Sequence, residues 1–395
     1  MRKGFFGSIA ALLASTGMAM ADGPVAAPAT GSAGGSCAAP VVAAPAYDDH
    51  GQGDSTRFWA TGEYLLWWFK NSPEPAPLIS TGPLGTPGTT VLLGGNEITT
   101  DEHSGGRFTV GGWLDCDHRL GVEVEGFFIG GKTVNEGVSS GTGATAATIG
   151  VPFIDLTTGT PAAGFLPLNT PGTSSSVANE RLFQRLYGYG FNGLLGIGDN
   201  CGEGLHLALL GGFRYAELDE DLGFSTLTTG DVGGPLAGFS TATTDQFNTQ
   251  NRFYGGNTGI RAEWCSGRFW AAATGQIALG WTREAVSIGG VTTTTIGGVT
   301  TTTGGTGIFV GPTNAGRLTH DRFAVLPEGT INGGFNVTDW ATVFVGYNFF
   351  YLSDVVRPGN SIDTVFNGVN RPAPILHSTS DFWAQGINFG LALRF

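Results

Sequence analysis

Charge is scarce in this sequence. Asp, Glu, Lys and Arg make up 13% of its 395 residues, about half the ~25% usual for soluble domains, and the balance is acidic, with a formal net charge of −13. An acidic chain offers no basic footprint to a phosphate backbone, which excludes nucleic acid as a partner. Long apolar runs are missing too. Past the N-terminus nothing approaches the ~20 residues of a membrane helix, which excludes a helical bundle in lipid. The four cysteines form no C-x-x-C, and the six histidines, at 50, 103, 118, 206, 320 and 377, are scattered without H-E-x-x-H spacing. No metal or other cofactor is therefore expected. No G-x-S-x-G occurs either, so no catalytic constellation presents itself and a non-enzyme is expected. Disorder is excluded by what is present: 41% hydrophobic residues and a mean hydropathy of +0.08 exceed what an unfolded chain carries.

The N-terminus reads as an export signal. Arg2 and Lys3 form a basic start, residues 5–16 an apolar stretch, and Ala19-Met20-Ala21 a small-x-small cleavage site. Removal of residues 1–21 takes away two of the 19 basic residues and none of the 32 acidic ones. Residues 22–56, rich in Ala, Pro and Gly, read as a flexible periplasmic tether. Cys37 lies in it behind Gly34-Gly35-Ser36, too far from the apolar stretch for lipidation. The folded part is then 57–395.

From Arg57 onward the pattern has period two. In the last segment Trp383, Ile387, Phe389, Leu391, Leu393 and Phe395 share one face, and Ala384, Gly386, Asn388, Gly390, Ala392 and Arg394 the other. Val122, Val124 and Phe128 alternate with Glu123 and Glu125. Phe323, Val325, Ile331 and Phe335 alternate with Arg322, Glu328 and Asn332, and Leu205, Leu207, Leu209, Phe213 and Tyr215 with His206, Gly212 and Arg214. Such strands exceed the ~5–6 residues of a soluble sandwich and suit a tilted membrane crossing of ~9–11. Ten are expected, near 57–70, 104–115, 120–132, 180–198, 203–226, 247–264, 268–287, 319–336, 339–356 and 381–395. Connections between them alternate in length. Long ones cover 71–103, 133–179, 227–246, 288–318 and 357–380, and short ones centre on 116–118, 200–202, 265–267 and 337–338. That is the pattern of an all-β, transmembrane, antiparallel up-and-down barrel in a bacterial outer membrane, with long outer loops, short periplasmic turns and both termini in the periplasm. Twelve strands is the alternative, should 133–179 or 288–318 add hairpins.

Cysteine and tryptophan positions bear on this topology. Cys116, Cys201 and Cys265 fall in three short turns and Cys37 in the tether, so all four are expected on the periplasmic side. One or two disulfides tying turns to one another or to the tether are one reading, and four separate buried thiols the other. Trp59, Trp113, Trp264, Trp270, Trp340 and Trp383 are expected near periplasmic ends, and Trp67, Trp68 and Trp281 near outer ends, as in interfacial girdles. The alternation turns Trp59, Trp113, Trp270 and Trp340 inward. Either some registers differ or these rings close the barrel floor.

Four strings carry a family resemblance: Glu63-Tyr-Leu-Leu-Trp-Trp68, Gly105-Gly-Arg-Phe-Thr-Val-Gly-Gly-Trp-Leu-Asp115, the stretch from Gly346-Tyr-Asn-Phe-Phe-Tyr to Arg357-Pro-Gly359, and Asp381-Phe-Trp-Ala-Gln-Gly-Ile-Asn-Phe-Gly-Leu-Ala-Leu-Arg-Phe395. Together they resemble the BBP family of outer-membrane β-barrel proteins of planctomycete-type bacteria, from about residue 58 to the C-terminus. The resemblance implies an outer-membrane barrel and implies no activity. Phe395, preceded at every second position by Leu393, Leu391, Phe389 and Ile387, also resembles the insertion signal read by the barrel-assembly machinery, which implies that machinery as a transient partner beside the lipid itself.

Other motifs have bland readings. Gly126 to Thr133 fits G-x4-G-K-T and Gly188 to Gly193 fits G-x-G-x-x-G, but both lie in strand alternation with no helix after them, so nucleotide binding is not expected. His103 with Asp101 and Glu102, or His320 with Asp321, is the only material for a rim site, and neighbours along a strand point to opposite faces. Inward positions carry Arg107, Glu123, Glu125, Arg214, Arg261, Glu263, Arg322, Glu328 and Arg394. Paired, they would fill a narrow lumen and make a structural or surface-exposed barrel; separated into rings, they would line a narrow, porin-like passage for ions or small solutes. Ten strands leave little interior beyond side chains, which favours the filled lumen. The acidic run at 217–221 reads as a solvated strand extension, with a divalent cation or a cation-bridged surface glycolipid as the sharper alternative. The tandem octapeptide Ile-Gly-Gly-Val-Thr-Thr-Thr-Thr at 288–303 suggests a projecting hairpin with turns at its Gly pairs. Oligomeric state is not legible here.

If Phe395 ends an insertion signal, Phe395→Asp lowers the yield of heat-modifiable protein in the outer membrane severalfold. Wild-type amounts of that material from the variant would refute the reading.

Overall fold

A computed structural model describes residues 57–115, 118–197, 204–366 and 378–395. The signal peptide, the tether, Cys37, Cys116 and Cys201 lie outside the described residues. In chain order the strands are β1 (Phe58–Phe69), β2 (Ser72–Ser80), β3 (Val91–Ile98), β4 (His103–Trp113), β5 (Leu120–Ser139), β6 (Gly150–Asp155), β7 (Ala162–Pro167) and β8 (Ser174–Ile197). They continue as β9 (Gly204–Gly230), β10 (Phe239–Ser266), β11 (Phe269–Ile296), β12 (Val299–Gly304), β13 (Gly316–Asn336), β14 (Ala341–Val355), β15 (Val365–Phe366) and β16 (Ser380–Arg394).

Ten of these close into an antiparallel ring, in the order β1-β4-β5-β8-β9-β10-β11-β13-β14-β16 and back to β1. Each ring strand corresponds to one expected from the sequence. Closure pairs the first strand with the last, from Trp59↔Arg394 to Phe69↔Ala384, and Phe58 and Phe395 exchange two backbone hydrogen bonds of 3.0 and 3.1 Å. No ring strand is left with an open edge, the condition for backbone in lipid.

The outer surface fixes the membrane boundary. Tyr189, Tyr215, Tyr254, Trp281 and Phe323 stand side by side across five strands in one register. Tyr189 and Tyr215 stack at 4.7 Å, Tyr215 and Tyr254 lie 5.2 Å apart, and Trp281 meets Phe323 edge-on at 6.1 Å. One rung further out the residues become Glu217, Arg252, Arg283 and Asp321. Below the aromatic rung, exposed Val, Leu, Ile and Phe continue to the end that holds Phe395. That leaves roughly eleven residues of each strand for the crossing, as a tilted strand requires.

The wall is uneven above the rung. β8 to β11 run for 24, 27, 28 and 28 residues, roughly a dozen beyond the crossing, or ~40 Å of strand. The sequence reading stopped these strands short at their outer ends. β1, β4, β14 and β16 end near the boundary. The loops also hold structure that alternation did not foretell. β2, β3, β6, β7 and β15 come from three different outer connections and form a second sheet, in the order β15-β6-β2-β3 with β7 on β6. Its apolar side chains, including Leu78, Ile79, Leu93, Ile149 and Val151, pack on the inner wall at Leu182, Leu222, Phe224 and Phe247.

Hairpins therefore do fold from 133–179 and 288–318, but they stay out of the ring, and twelve strands is ruled out. The octapeptide repeat extends β11 and turns back as β12. Its turn is Gly297-Gly298, both at positive φ (56° and 85°), as a tight two-residue hairpin demands. The other pair, Gly289-Gly290, stays inside β11.

Trp59, Trp113 and Trp270 do point inward and close the periplasmic end. Trp340 does not: it sits in the turn between β13 and β14 and is exposed. Trp383 belongs to the outer end, opposite Tyr351, because β16 enters from that side. Three floor rings rest on glycines. A Cβ at Gly111, Gly334 or Gly390 would overlap Trp59, Trp270 or Phe344 respectively, so part of the glycine content is room for aromatic rings.

Gly390→Val is expected to destabilise the barrel by about 1–3 kcal/mol through overpacking. Gly275→Val, with no atom near its Cβ, should be close to neutral. Urea midpoints of the two variants in detergent check this.

Candidate functional site: a layered lumen

The interior is stacked in layers, because each inward position repeats every second residue on ten strands. At the periplasmic floor Trp59 and Trp113 lie 5.7 Å apart and Trp270 and Phe344 5.9 Å apart, joined by Leu194, Leu210 and Cys265. Cys265 ends up inside β10 and buried rather than in a turn.

Above the floor lies a polar network. Arg261 makes a two-pronged contact with Glu123, both bonds 3.0 Å. Arg214 donates to Glu125 at 2.8 Å and to Glu328 on the far wall. Arg107 donates to Asn348 at 2.9 Å and stands 3.6 Å from Glu63. Asn388 donates to Glu63 at 2.7 Å and accepts from Asn348 at 2.9 Å. Glu263 faces Arg261 and Arg394. The spacing lets opposite charges meet across the lumen, the arrangement that buried ions require. Between the side chains remains a cavity of about 70 Å³, lined by Glu63, Arg107, Glu123, Glu125 and Arg261 among others.

An apolar layer covers the network. Trp67, Phe127, Phe253, Phe350 and Phe382 fill it with Leu65, Leu186, Leu218 and Leu326. Its rings also receive the charges below: the Arg214 guanidinium lies 5.2 Å from the Phe127 centroid and that of Arg107 5.9 Å from Trp67. Higher still, Arg357 grips Glu220 with two hydrogen bonds, both residues fully buried, and Gln184 donates to the same carboxylate at 2.6 Å. Arg322 stands 3.4 Å from Glu284 and 3.9 Å from Asp354. The loop sheet packs on the inner wall above these pairs.

Of the inward charges read from the sequence, Arg107, Glu123, Glu125, Arg214, Arg261, Glu263 and Glu328 gather in or beside the one network. Arg394 stands at its periplasmic edge, and Arg322 belongs to the upper layer, apart from the rest. Asn388, placed on the inward face of the last strand by the sequence, joins the network, and three residues of comparable weight escaped that reading: Glu63, Asn348 and Arg357. The first two sit on the inward phase of β1 and β14, a signal that was there to use. Arg357 had none, since it lies in what reads as a loop.

The acidic run divides as strand alternation dictates. Glu220 turns inward to Arg357, while Glu217, Asp219 and Asp221 turn outward. No cluster of three potential metal ligands forms among the described residues. His103 is buried, stacked on Phe69 at 4.0 Å; His320 is exposed on β13. Gly126 to Thr133 lies wholly in β5 and Gly188 to Gly193 in β8.

Closed in register, girdled by aromatics and apolar toward lipid, this molecule is an integral outer-membrane β-barrel protein. The chain belongs to the family described as Putative beta barrel porin-7 (BBP7), whose model matches residues 59–395. No curated protein matches the sequence. Among solved structures it is similar to the outer membrane protease OmpT from Escherichia coli, with 12% identity and a TM-score of 0.40 over 85% of this chain and 97% of that one. A Pseudomonas aeruginosa FadL homologue shows 8% identity and a TM-score of 0.23 over 87% and 91%. The P. putida toluene transporter TodX shows 6% identity and a TM-score of 0.19 over 86% and 90%. Likenesses this distant carry no task or residue role to this chain.

One pair of buried carboxyl groups joins the loop sheet to the wall. Glu74 of β2 and Glu180 of β8, both nearly inaccessible, face each other beyond the membrane, with Glu136 close by. Burial pushes the Glu74 carboxyl up to about 10, and the neighbouring Glu180 and Glu136 carboxylates add to the rise; burial raises Glu180 as well. A carboxyl raised on folding contributes its stability below its unfolded value of 4.5 and loses it as pH climbs toward about 10. Amide exchange in β2 should therefore quicken, relative to its intrinsic rate, as pH rises from 5 to 9. Glu74→Gln should flatten that slope, and an unchanged slope would refute the raised Glu74 carboxyl.

Proposed function

We propose that the protein is a closed outer-membrane barrel with a structural and surface-exposed role, and that the role is not enzymatic. The observation that carries this reading is the filling of the lumen. A tryptophan floor, an Arg–Glu–Asn network, an apolar layer and a docked loop sheet follow one another along the axis, and the network encloses only about 70 Å³. A volume of that size has room for a few waters and supports a lumen filled mainly by side chains. The tall wall of β8 to β11 and the loop sheet are then what the barrel presents to the outside, and the ten-strand ring is the anchor that holds them there.

A narrow cation path is the second reading. It rests on the network's charge: Glu63, Glu123, Glu125, Glu263 and Glu328 slightly outnumber Arg107, Arg214, Arg261 and Arg394, as a cation-selective constriction would. Refolded full-length protein in planar bilayers separates the two. Steady silence is expected from protein that is heat-modifiable and correctly inserted. Removing the block should also have a consequence: deletion of residues 72–98 together with Arg214→Ala and Trp270→Ala should produce resolvable steps. Unit conductance with cation selectivity in the wild type would overturn the closed-barrel reading in favour of the channel.

A further inference from the structure

A strand edge above the lipid is a liability, because its unpaired N–H and C=O groups template pairing with another chain. The outer part of this molecule has several such edges, and they carry guards. Lys132 and Glu136 charge the outer half of β5, and Arg317, Asp321 and Arg322 that of β13, where each strand rises past a shorter neighbour. β3 is distorted by register shifts against β2 and by Gly94 and Gly95 at positive φ.

β12 carries no guard. Its six residues, Val299–Gly304, pair with β11 on one side without a register shift. On the other side β12 is the last strand of its sheet, and all six residues are exposed. Gly305 donates to Gly290 at 2.8 Å, which sets the phase of the ladder. Val299, Thr301 and Thr303 therefore turn their backbone groups to β11, while Thr300 and Thr302 turn theirs to the free edge. The strand is β-branched and holds no proline. From Ala285 to Gly316 the chain has no Asp, Glu, Lys or Arg, although the protein as a whole is acidic.

This edge is complementary to itself. Hydroxyl pairs already tie the sheet crosswise: Thr241 with Thr294 at 3.2 Å, Thr293 with Thr302 at 3.2 Å and Thr295 with Thr300 at 2.9 Å. An antiparallel copy of β12 centred on Thr301 sets Thr300 of one copy opposite Thr302 of the other, and the reverse. The free N–H and C=O groups of both residues are then exchanged, and threonine again faces threonine. The two-fold axis of such a pair stands normal to the sheet, and so lies parallel to the membrane, because the sheet continues the barrel wall. Copies related in this way belong to two facing membranes. Within one membrane the axis would be upright, and tilted strands would cross without pairing.

We infer that β12 is a homotypic adhesion edge, pairing with β12 of a second copy in an opposing outer membrane and so joining two surfaces. The hairpins bring no charge to the contact, so two acidic molecules can meet there. Two-fold pairing occupies both edges and ends at two copies. A single contact is short and weak, and many contacts between two membranes add by avidity. The inference gives a task to the surface-exposed role proposed above and rests on that reading, but does not depend on a closed lumen.

The test mixes two populations of phosphatidylcholine vesicles, each with its own dye and each carrying full-length protein with the outer loops exposed. Two-coloured clusters are counted by microscopy. Wild-type vesicles should form severalfold more of them than protein-free vesicles. Thr300→Pro with Thr302→Pro removes donors from the free edge and spares those that face β11; clustering should fall to the protein-free level. Thr301→Lys with Thr303→Lys should do the same by charging the edge. Heat modifiability confirms that each variant is folded. Vesicles with the proline variant should also fail to cluster with wild-type vesicles, since both edges are required. Absence of wild-type clustering, undiminished clustering by the variants, or clustering of wild-type with protein-free vesicles would overturn the inference. Conductance in planar bilayers from protein that still clusters vesicles would overturn the closed barrel and leave the adhesion edge standing.

Discussion

Arg214 stands between Glu125 on one wall and Glu328 on the opposite wall, and the rest of the interior is arranged to tolerate it. A guanidinium enclosed by a barrel in lipid cannot reach bulk water, so it must find carboxylates, amides or ring faces within the lumen. It finds two carboxylates beside it and Phe127 over it. The same demand, met in turn by Arg107 and Arg261, produces one cross-braced layer in place of separate rings of charge. Crossing contacts of this kind hold ten strands to one diameter in a way that hydrogen bonds between adjacent strands alone do not.

The layers above and below follow from that one. Indoles seated over glycines border the network on the periplasmic side, and Trp67, Phe127 and Phe350 border it on the outer side. Small residues at Gly111, Gly334 and Gly390 are therefore as much a part of the design as the tryptophans they receive. The upper pair, Arg357 with Glu220, repeats the solution at a second height and fixes the end of β14 and the segment after it against β9.

Within the membrane the sequence was legible, because lipid enforces strict alternation: a single slip would turn every side chain to the wrong medium. The ten crossings and all but one of the network's arginines and glutamates were read from period two, their direction from the alternation of long and short connections; Glu63 was missed. Above the boundary that enforcement ends. The outer halves of β8 to β11 face water on one side and a folded loop sheet on the other, so polar and apolar residues no longer sort cleanly. β2 was illegible for a further reason: Pro73, Pro75 and Pro77 remove amide donors and read as loop, yet the strand tolerates them through register shifts around Pro77.

The seam between β1 and β16 sets an order in time. Its bonds join Phe58 to Phe395, the first strand to the end of β16, so the ring has no closed form until β16 has been made. Until then two strand edges stand open, one on each side of the gap, and every hairpin added in between extends an unclosed sheet. β16 thus completes the wall: a polypeptide that lacks it has no partner for β1 and is left with an edge that the bilayer will not accept.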